Sequence, residues 1–146
     1  MERRNFIKNT CIVAGVGVSV SWLLQACAGH KYITDFNSTP TQITIKKSAF
    51  ITLKKGESIQ QKFILLKPEN FQFPLVVYKM SDSEYRTLLL ECTHQGCELT
   101  PYETTMVCPC HGAEFNRKGE VTQGPADTNL KFFVTTQDDE NIFIQL

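Results

Sequence analysis

Four cysteines and two histidines crowd two short stretches, "CTHQGC" at residues 92–97 and "CPCHG" at residues 108–112. They are Cys92, His94, Cys97, Cys108, Cys110 and His111; the remaining cysteines, Cys11 and Cys27, and the third histidine, His30, lie far upstream. Thiolates and imidazoles at such close spacing, C-x-H-x2-C and C-x-C-H, are the donor set of a soft-metal centre. In an alternating loop, residues i and i+2 share a side, so Cys92 and His94 can grip a common centre. Cys108 and His111 can do so from the second stretch if Pro109 and Gly112 turn the chain sharply. Six donors exceed the four that tetrahedral zinc uses, and two cysteines, Cys97 and Cys110, stand beside such a set.

The elements that must position these loops read as strands. After residue 40 the runs "ITIKK", "AFITL", "QKFILL", "FPLVVYKM" and "YRTLLLEC" are rich in Ile, Val, Phe and Tyr and are separated by Lys-Gly, Pro-Glu-Asn and Ser-Asp-Ser turn signals. No stretch there sustains the apolar i, i+3, i+4, i+7 spacing of a helix. "LKFFVTT" and "NIFIQL" flank "QDDE" and read as a closing hairpin. Between early and late strands lies a loop-rich insert, residues 91–126, holding Gly96, Pro101, Pro109, Gly112, Gly119, Gly124 and Pro125. The fold class expected is all-β, a sandwich or small barrel with a loop-built subdomain. Phe63, Phe71, Phe73, Phe132 and Phe133 are expected in the core or on a sheet face, and Glu91, Glu98 and Glu114 as solvated rim charges.

The 146-residue chain is 42 % hydrophobic, with 15 basic and 15 acidic side chains scattered and no net charge, so nothing attracts nucleic acid over long range. Its start differs from the rest. "MERRNFIKNT" carries Arg3 and Arg4, and "CIVAGVGVSVSWLL", residues 11–24, holds no charge. Fourteen apolar residues span about 21 Å as a helix, short of the roughly 30 Å hydrocarbon core, so an export signal is expected over residues 1–26. "RRNFIK" resembles the twin-arginine export motif, with Glu2 in the place usually held by Ser or Thr. "LLQACAG" resembles a bacterial lipoprotein box, which implies a diacylglyceryl group on Cys27 and a chain anchored on the periplasmic side of the membrane. Without residues 1–26, 12 basic and 14 acidic groups remain, a charge of about −2 on 120 residues. Residues 27–42 are polar and are expected to be a tether to a head at 43–146. Exported proteins meet an oxidising compartment, where spare thiols brought together should pair.

"CTHQGC" with "CPCHGAEF" resembles the Rieske iron–sulfur proteins of the quinol-oxidising type, whose pattern is C-T-H-x-G-C and C-P-C-H-G. The likeness is strong over residues 88–126, where "GPA" at Gly124 to Ala126 corresponds to the family's proline-bearing third loop. It implies a Rieske-type antiparallel sandwich or barrel and one [2Fe-2S] cluster per chain. It also implies Cys92 and Cys108 on one iron, His94 and His111 on the other, and an inter-loop disulfide between Cys97 and Cys110. Two ferric ions, two sulfides, two thiolates and two neutral imidazoles carry no net charge, so an added electron meets little repulsion; such centres span roughly −150 to +300 mV. Where high-potential members often carry Ser and Tyr, this chain has Ala113 and Phe115, which lack hydroxyls to stabilise the reduced state. A potential in the lower or middle part of that range follows. Gln95 replaces an apolar residue that often shields the cluster.

The function expected is one-electron transfer as the iron–sulfur subunit of a membrane quinol-oxidising complex of the cytochrome bc or b6f kind. Its partners would be a cytochrome b-type or other redox subunit, quinol, and a cytochrome c-type acceptor. The other readings are an electron-transfer partner or small subunit of a periplasmic oxidase, as in arsenite-oxidase-like assemblies, and a zinc-binding module. Zinc would use only four of the six donors, and the C-P-C-H-G order and the export signal favour iron–sulfur.

Overall fold

Side chains of a β-strand point alternately to its two faces, so a strand apolar at every position must be covered on both. Leu75, Val76, Val77 and Tyr78 are all fully buried in one strand, and the structure supplies both covers. This computed structural model describes residues 31–146; the expected export signal, Cys27 and the first part of the expected tether lie outside the described residues. In chain order the strands are β1 (Tyr32–Ile33), β2 (Asn37–Ser38), β3 (Gln42–Lys46), β4 (Ile51–Lys54), β5 (Glu57–Gln60), β6 (Phe63–Leu66), β7 (Leu75–Lys79) and β8 (Tyr85–Leu89). They continue with β9 (Thr100–Pro101), β10 (Thr105–Val107), β11 (Glu114–Asn116), β12 (Val121–Gln123), β13 (Phe132–Phe133), β14 (Thr135–Gln137) and β15 (Asn141–Gln145). A 3-10 turn, Lys47–Phe50, precedes β4. The expected all-β class agrees with this architecture; among the described residues no helix is long and apolar enough to cross a membrane.

A central sheet of order β1-β6-β7-β8-β13 separates two cores. Leu65, Val76, Tyr78, Leu88 and Leu90 point to one face and meet Met106, Phe115, Leu130 and the two free cysteines. Ile64, Leu66, Leu75, Val77 and Leu89 point to the other and meet Ile43, Ile45, Ile142 and Ile144 from the sheet β14-β15-β3-β2. Each such buried aliphatic stabilises the fold by about 1.5–3 kcal/mol before entropy is counted. Thr87, the one buried polar residue of the core, sits on the second face and its hydroxyl accepts from Thr135 Oγ1 at 2.8 Å.

The register gives the central sheet two distinct ends. Leu66, Leu75 and Leu89 line up at one, where the chain runs on into residues 91–97. Phe63, Tyr78 and Tyr85 mark the other, from which the hairpin β4–β5 departs as a two-stranded sheet of its own. Since β1 runs parallel to β6, with Tyr32 opposite Leu65, the chain enters from the hairpin end.

Several expectations are corrected. The tether expected over 27–42 already pairs with the head within its described part, where Tyr32–Ile33 pairs with β6 and Asn37–Ser38 with β3 through backbone bonds that polar composition conceals. The insert 91–126 is not merely loops: it holds a sheet of order β12-β11-β10-β9. "LKFFVTT" is not one strand; β13 joins the central sheet, β14 the outer one, and Val134 between them is exposed. The closing hairpin is therefore β14–β15, turned by Asp138, whose Oδ1 accepts from the N–H of Asn141 at 2.6 Å and of Glu140 at 2.9 Å. Those N–H groups hold the Asp138 carboxyl below its usual range. Phe132 is half exposed, with the Arg86 guanidinium 4.1 Å from its ring centre.

Gly119 ties the small sheet to the central one. Its φ is +88°, and a Cβ there would stand 2.7 Å from Leu88 Cδ2 and 3.3 Å from Leu130 Cβ, both buried. Gly119→Ala is expected to cost about 2–4 kcal/mol, read as a lower midpoint in thermal unfolding; an unchanged midpoint would show that the turn relaxes freely.

Candidate metal centre

The two cysteine stretches fold into loops with one wiring. In the first, the Cys92 N–H donates to the Cys97 carbonyl at 2.8 Å, and the Gly96 N–H to the Cys92 carbonyl at 2.8 Å. In the second, the Cys108 N–H donates to the Ala113 carbonyl at 2.8 Å, and the Gly112 N–H to the Cys108 carbonyl at 3.0 Å. Each turn closes through a glycine in the left-handed region, Gly96 at φ +69° and Gly112 at φ +73°, where a side chain would be strained. Leu90 and Leu99, joined by a bond from Leu99 N–H to Leu90 carbonyl at 3.1 Å, form the base of the first loop. The strands β10 and β11 form the base of the second.

This wiring turns backbone N–H groups onto sulfur. Those of His94 and Gln95 hydrogen-bond Cys92, and those of Cys110 and His111 hydrogen-bond Cys108. Both thiols are free and buried, and they contact each other. Burial, the larger influence, and the neighbouring Cys108 raise the Cys92 thiol above its ordinary range despite its N–H donors. Burial acts the same way at Cys108, but bonds from Cys92 and from the N–H groups of Cys110 and His111 outweigh it and bring that thiol below its ordinary value. Two adjacent sulfurs so arranged resist ionising together in the absence of a cation, yet each is furnished with donors for the thiolate.

The two imidazoles also meet. The His94 and His111 ring centres are 5.0 Å apart with the planes at 89°. His94 is half-buried and its Nδ1 is fully enclosed without a hydrogen-bond partner, while His111 is exposed. A buried nitrogen without a protein partner is rare in a folded protein, and this one is open to a ligand from outside the chain. Cys97 and Cys110 are joined by a disulfide that links the two loops. The sulfurs of Cys97, Cys108 and Cys110 lie within 4.8 Å of one another, but two of them are spent in that disulfide, so this trio is not a ligand set. The donors left to hold a metal are Cys92, Cys108, His94 and His111.

Two further contacts hold the loops, and no sequence signal announces them. Thr93 Oγ1 donates to the Thr128 carbonyl at 2.6 Å, fastening the first loop to the segment after the cis Gly124–Pro125 bond. Gln123 Nε2 donates to the Gly112 carbonyl at 2.9 Å, fastening the second loop to β12. Tyr78, from the central sheet, donates through its hydroxyl to the Tyr102 carbonyl at 2.7 Å and so fixes the turn between β9 and β10. Ala113 and Phe115 are fully buried in the apolar cluster that also contains Cys92 and Cys108. Of the acidic residues nearby, Glu98 is exposed and accepts from Tyr32 Oη at 3.5 Å, while Glu91 and Glu114 are half-buried.

Comparison with known proteins agrees with this geometry. The chain is 38 % identical over 56 residues to the cytochrome b6-f complex iron-sulfur subunit of Prochlorococcus marinus strain MIT 9303, covering 36 % of this chain and 31 % of that protein. It is 39 % identical over 54 residues to the chloroplastic cytochrome b6-f complex iron-sulfur subunit of Oryza sativa subsp. japonica, covering 35 % of this chain and 24 % of that one. The chain thus spans about a third or less of the length of these curated relatives. Among solved structures, the cyanobacterial plasma membrane Rieske protein PetC3 from Synechocystis PCC 6803 superposes with a TM-score of 0.51 at 28 % identity, covering 58 % of this chain and 87 % of that one. The sequence profile of the Rieske [2Fe-2S] domain matches residues 50–134, more than half of the chain, which therefore belongs to the Rieske [2Fe-2S] domain family.

Proposed function

We propose that Cys92 and Cys108 bind one iron of a [2Fe-2S] cluster, that His94 and His111 bind the other, and that the domain carries single electrons as the iron–sulfur subunit of a membrane quinol-oxidising complex. The carrying observation is the meeting of four free donors, two thiols in contact and two imidazoles in contact, in like-wired loops joined by a disulfide. The donor set fits the cluster, since the enclosed Nδ1 of His94 lacks any protein partner and the thiols already receive backbone N–H groups. When bound, the cluster supplies a one-electron couple of low net charge.

The chain's own residues do the rest. Buried Cys92 and Cys108 keep water from one side, and the N–H groups of His94, Gln95, Cys110 and His111 lower the cost of negative charge on sulfur. Exposed His111 offers its edge to whatever gives or takes the electron, and an imidazole whose other nitrogen is ligated can hold or release a proton there. Quinol loses protons as well as electrons, so such a group suits it. The named relatives are subunits of cytochrome b6-f complexes, which supports a cytochrome b-type partner and a cytochrome c-type acceptor for this chain. The uncharged run at residues 11–24, the paired Arg3 and Arg4, and Cys27 in "LLQACAG" support export by the twin-arginine route and a lipid anchor facing the periplasm.

Reduced holoprotein is expected to show an electron paramagnetic resonance signal of low average g with nitrogen hyperfine coupling; a colourless zinc-loaded product, or no nitrogen coupling, sinks the ligand assignment. Ala113→Ser and Phe115→Tyr are each expected to raise the midpoint potential. A hydrogen bond favouring the reduced state by ~1 kcal/mol corresponds to roughly 40 mV for one electron, measurable by redox titration. Replacing both Cys97 and Cys110 by Ser removes a link across 13 residues and is expected to cost about 3 kcal/mol of stability in denaturant unfolding, with the visible spectrum of the cluster bleaching earlier in the transition.

A further inference from the structure

The β4–β5 hairpin takes no part in the site. It stands at the opposite end of the central sheet, and all eight of its strand residues are exposed. Leu53 is 74 % exposed, Ile51 52 % and Ile59 40 %, three apolar side chains on a ribbon that no other sheet covers. Its tip is the two-residue turn Lys55-Gly56 between the paired Lys54 and Glu57, with Lys55 at φ 53° and Gly56 at φ 85°, so the two lysines outweigh one carboxylate there. A turn with positive φ at both positions favours Asn-Gly or Asp-Gly, so Lys55 stands where the backbone would prefer a different residue. The chain's own layout says what lies beside it. Lys31, the first described residue, lines a small cavity together with Ala49, Thr52 and Gln61 at the hairpin's base. Lys31, the first residue described after the expected anchor, therefore lies on the hairpin side of β1.

We propose that the tip of this hairpin, Leu53 with Lys54 and Lys55, is a foot that rests on an anionic lipid surface and holds the exposed histidine end away from the bilayer. The proposal rests on the membrane-anchor reading, since the anchor brings the hairpin end to the bilayer. Leu53 enters the headgroup boundary, and the two ammonium groups meet lipid phosphates. At the base of the same ribbon Asp82, Asp139 and Glu140 stand with Lys46, Lys47 and Lys79 around Ile51, and Lys79 is paired with Asp82, so that end offers anionic lipid no net positive charge. Contact is thereby limited to the tip, which makes it shallow and reversible. In this pose His111 faces the aqueous phase, where an electron acceptor can reach it; a head that releases its foot is free to turn toward a membrane-embedded donor.

Full-length holoprotein on phosphatidylcholine vesicles, with and without phosphatidylglycerol, provides the test. Flotation with the vesicles reports the anchor, and amide hydrogen exchange of residues 51–60 reports the foot. Exchange there is expected to slow by roughly tenfold on the anionic vesicles alone, the effect of one to two lysines near a charged surface. Leu53→Ser and Lys54→Glu should each remove most of that slowing while flotation and cluster absorbance persist. Lys55→Asn discriminates further: it should slow exchange in solution by relieving the turn, yet reduce the additional slowing on anionic vesicles. Flotation without lipid-dependent slowing overturns the foot and leaves the anchor standing. Failure to float overturns both. Slowing that appears only when a membrane-bound partner protein is added assigns the hairpin to a protein and also overturns the lipid proposal.

Discussion

Two sulfur atoms buried in contact are the constraint around which this domain is arranged. Thiolates repel each other and lose hydration on burial, so each must be given donors by the protein and a cation between them. Cys92 and Cys108 obtain donors from the two residues at the second and third positions after each cysteine, because a positive-φ glycine at the fourth folds the chain back. Side chains could have supplied such donors, but backbone N–H groups are fixed by the loop itself and lose no rotamer freedom when the metal arrives. What the sheets must then do is hold two loops at one separation.

They do so from two packed layers. The first loop grows from the end of β8 in the central sheet, and the second from the β10–β11 hairpin packed on one face of that sheet. Tyr78, Gly119 and Leu88 join the two layers away from the loops, and the Cys97–Cys110 link, Thr93 and Gln123 join them at the loops. The second core, around Ile43, Ile45, Ile142 and Ile144, lies on the other face of the central sheet and backs it from behind.

How much of this the sequence discloses depends on the scale of the signal. Donor types and spacings are explicit in residues 92–112, and the long apolar runs declare strands, so the all-β class and the candidate donors are readable directly. Strands of two or three residues, such as β9 through β12, are shorter than any period can register. Tyr32–Ile33 is hidden for another reason: two apolar residues, one packed against each core, are too few to show an alternation inside a polar segment. "LKFFVTT" misleads because its apolar run is continuous while the chain changes sheets at Val134. The Thr93–Thr128 and Gln123–Gly112 bonds join positions related only by the folded geometry.

The like wiring of the two loops carries one last consequence. Counted from each cysteine, His94 stands in the second place of its loop and His111 in the third of its own; Cys110 fills the second place of the latter and Gln95 the third place of the former. The same frame, fixed by the cysteine and the closing glycine, thus carries different side chains at its second and third places in its two copies, so the backbone geometry alone does not dictate which of those places holds the imidazole.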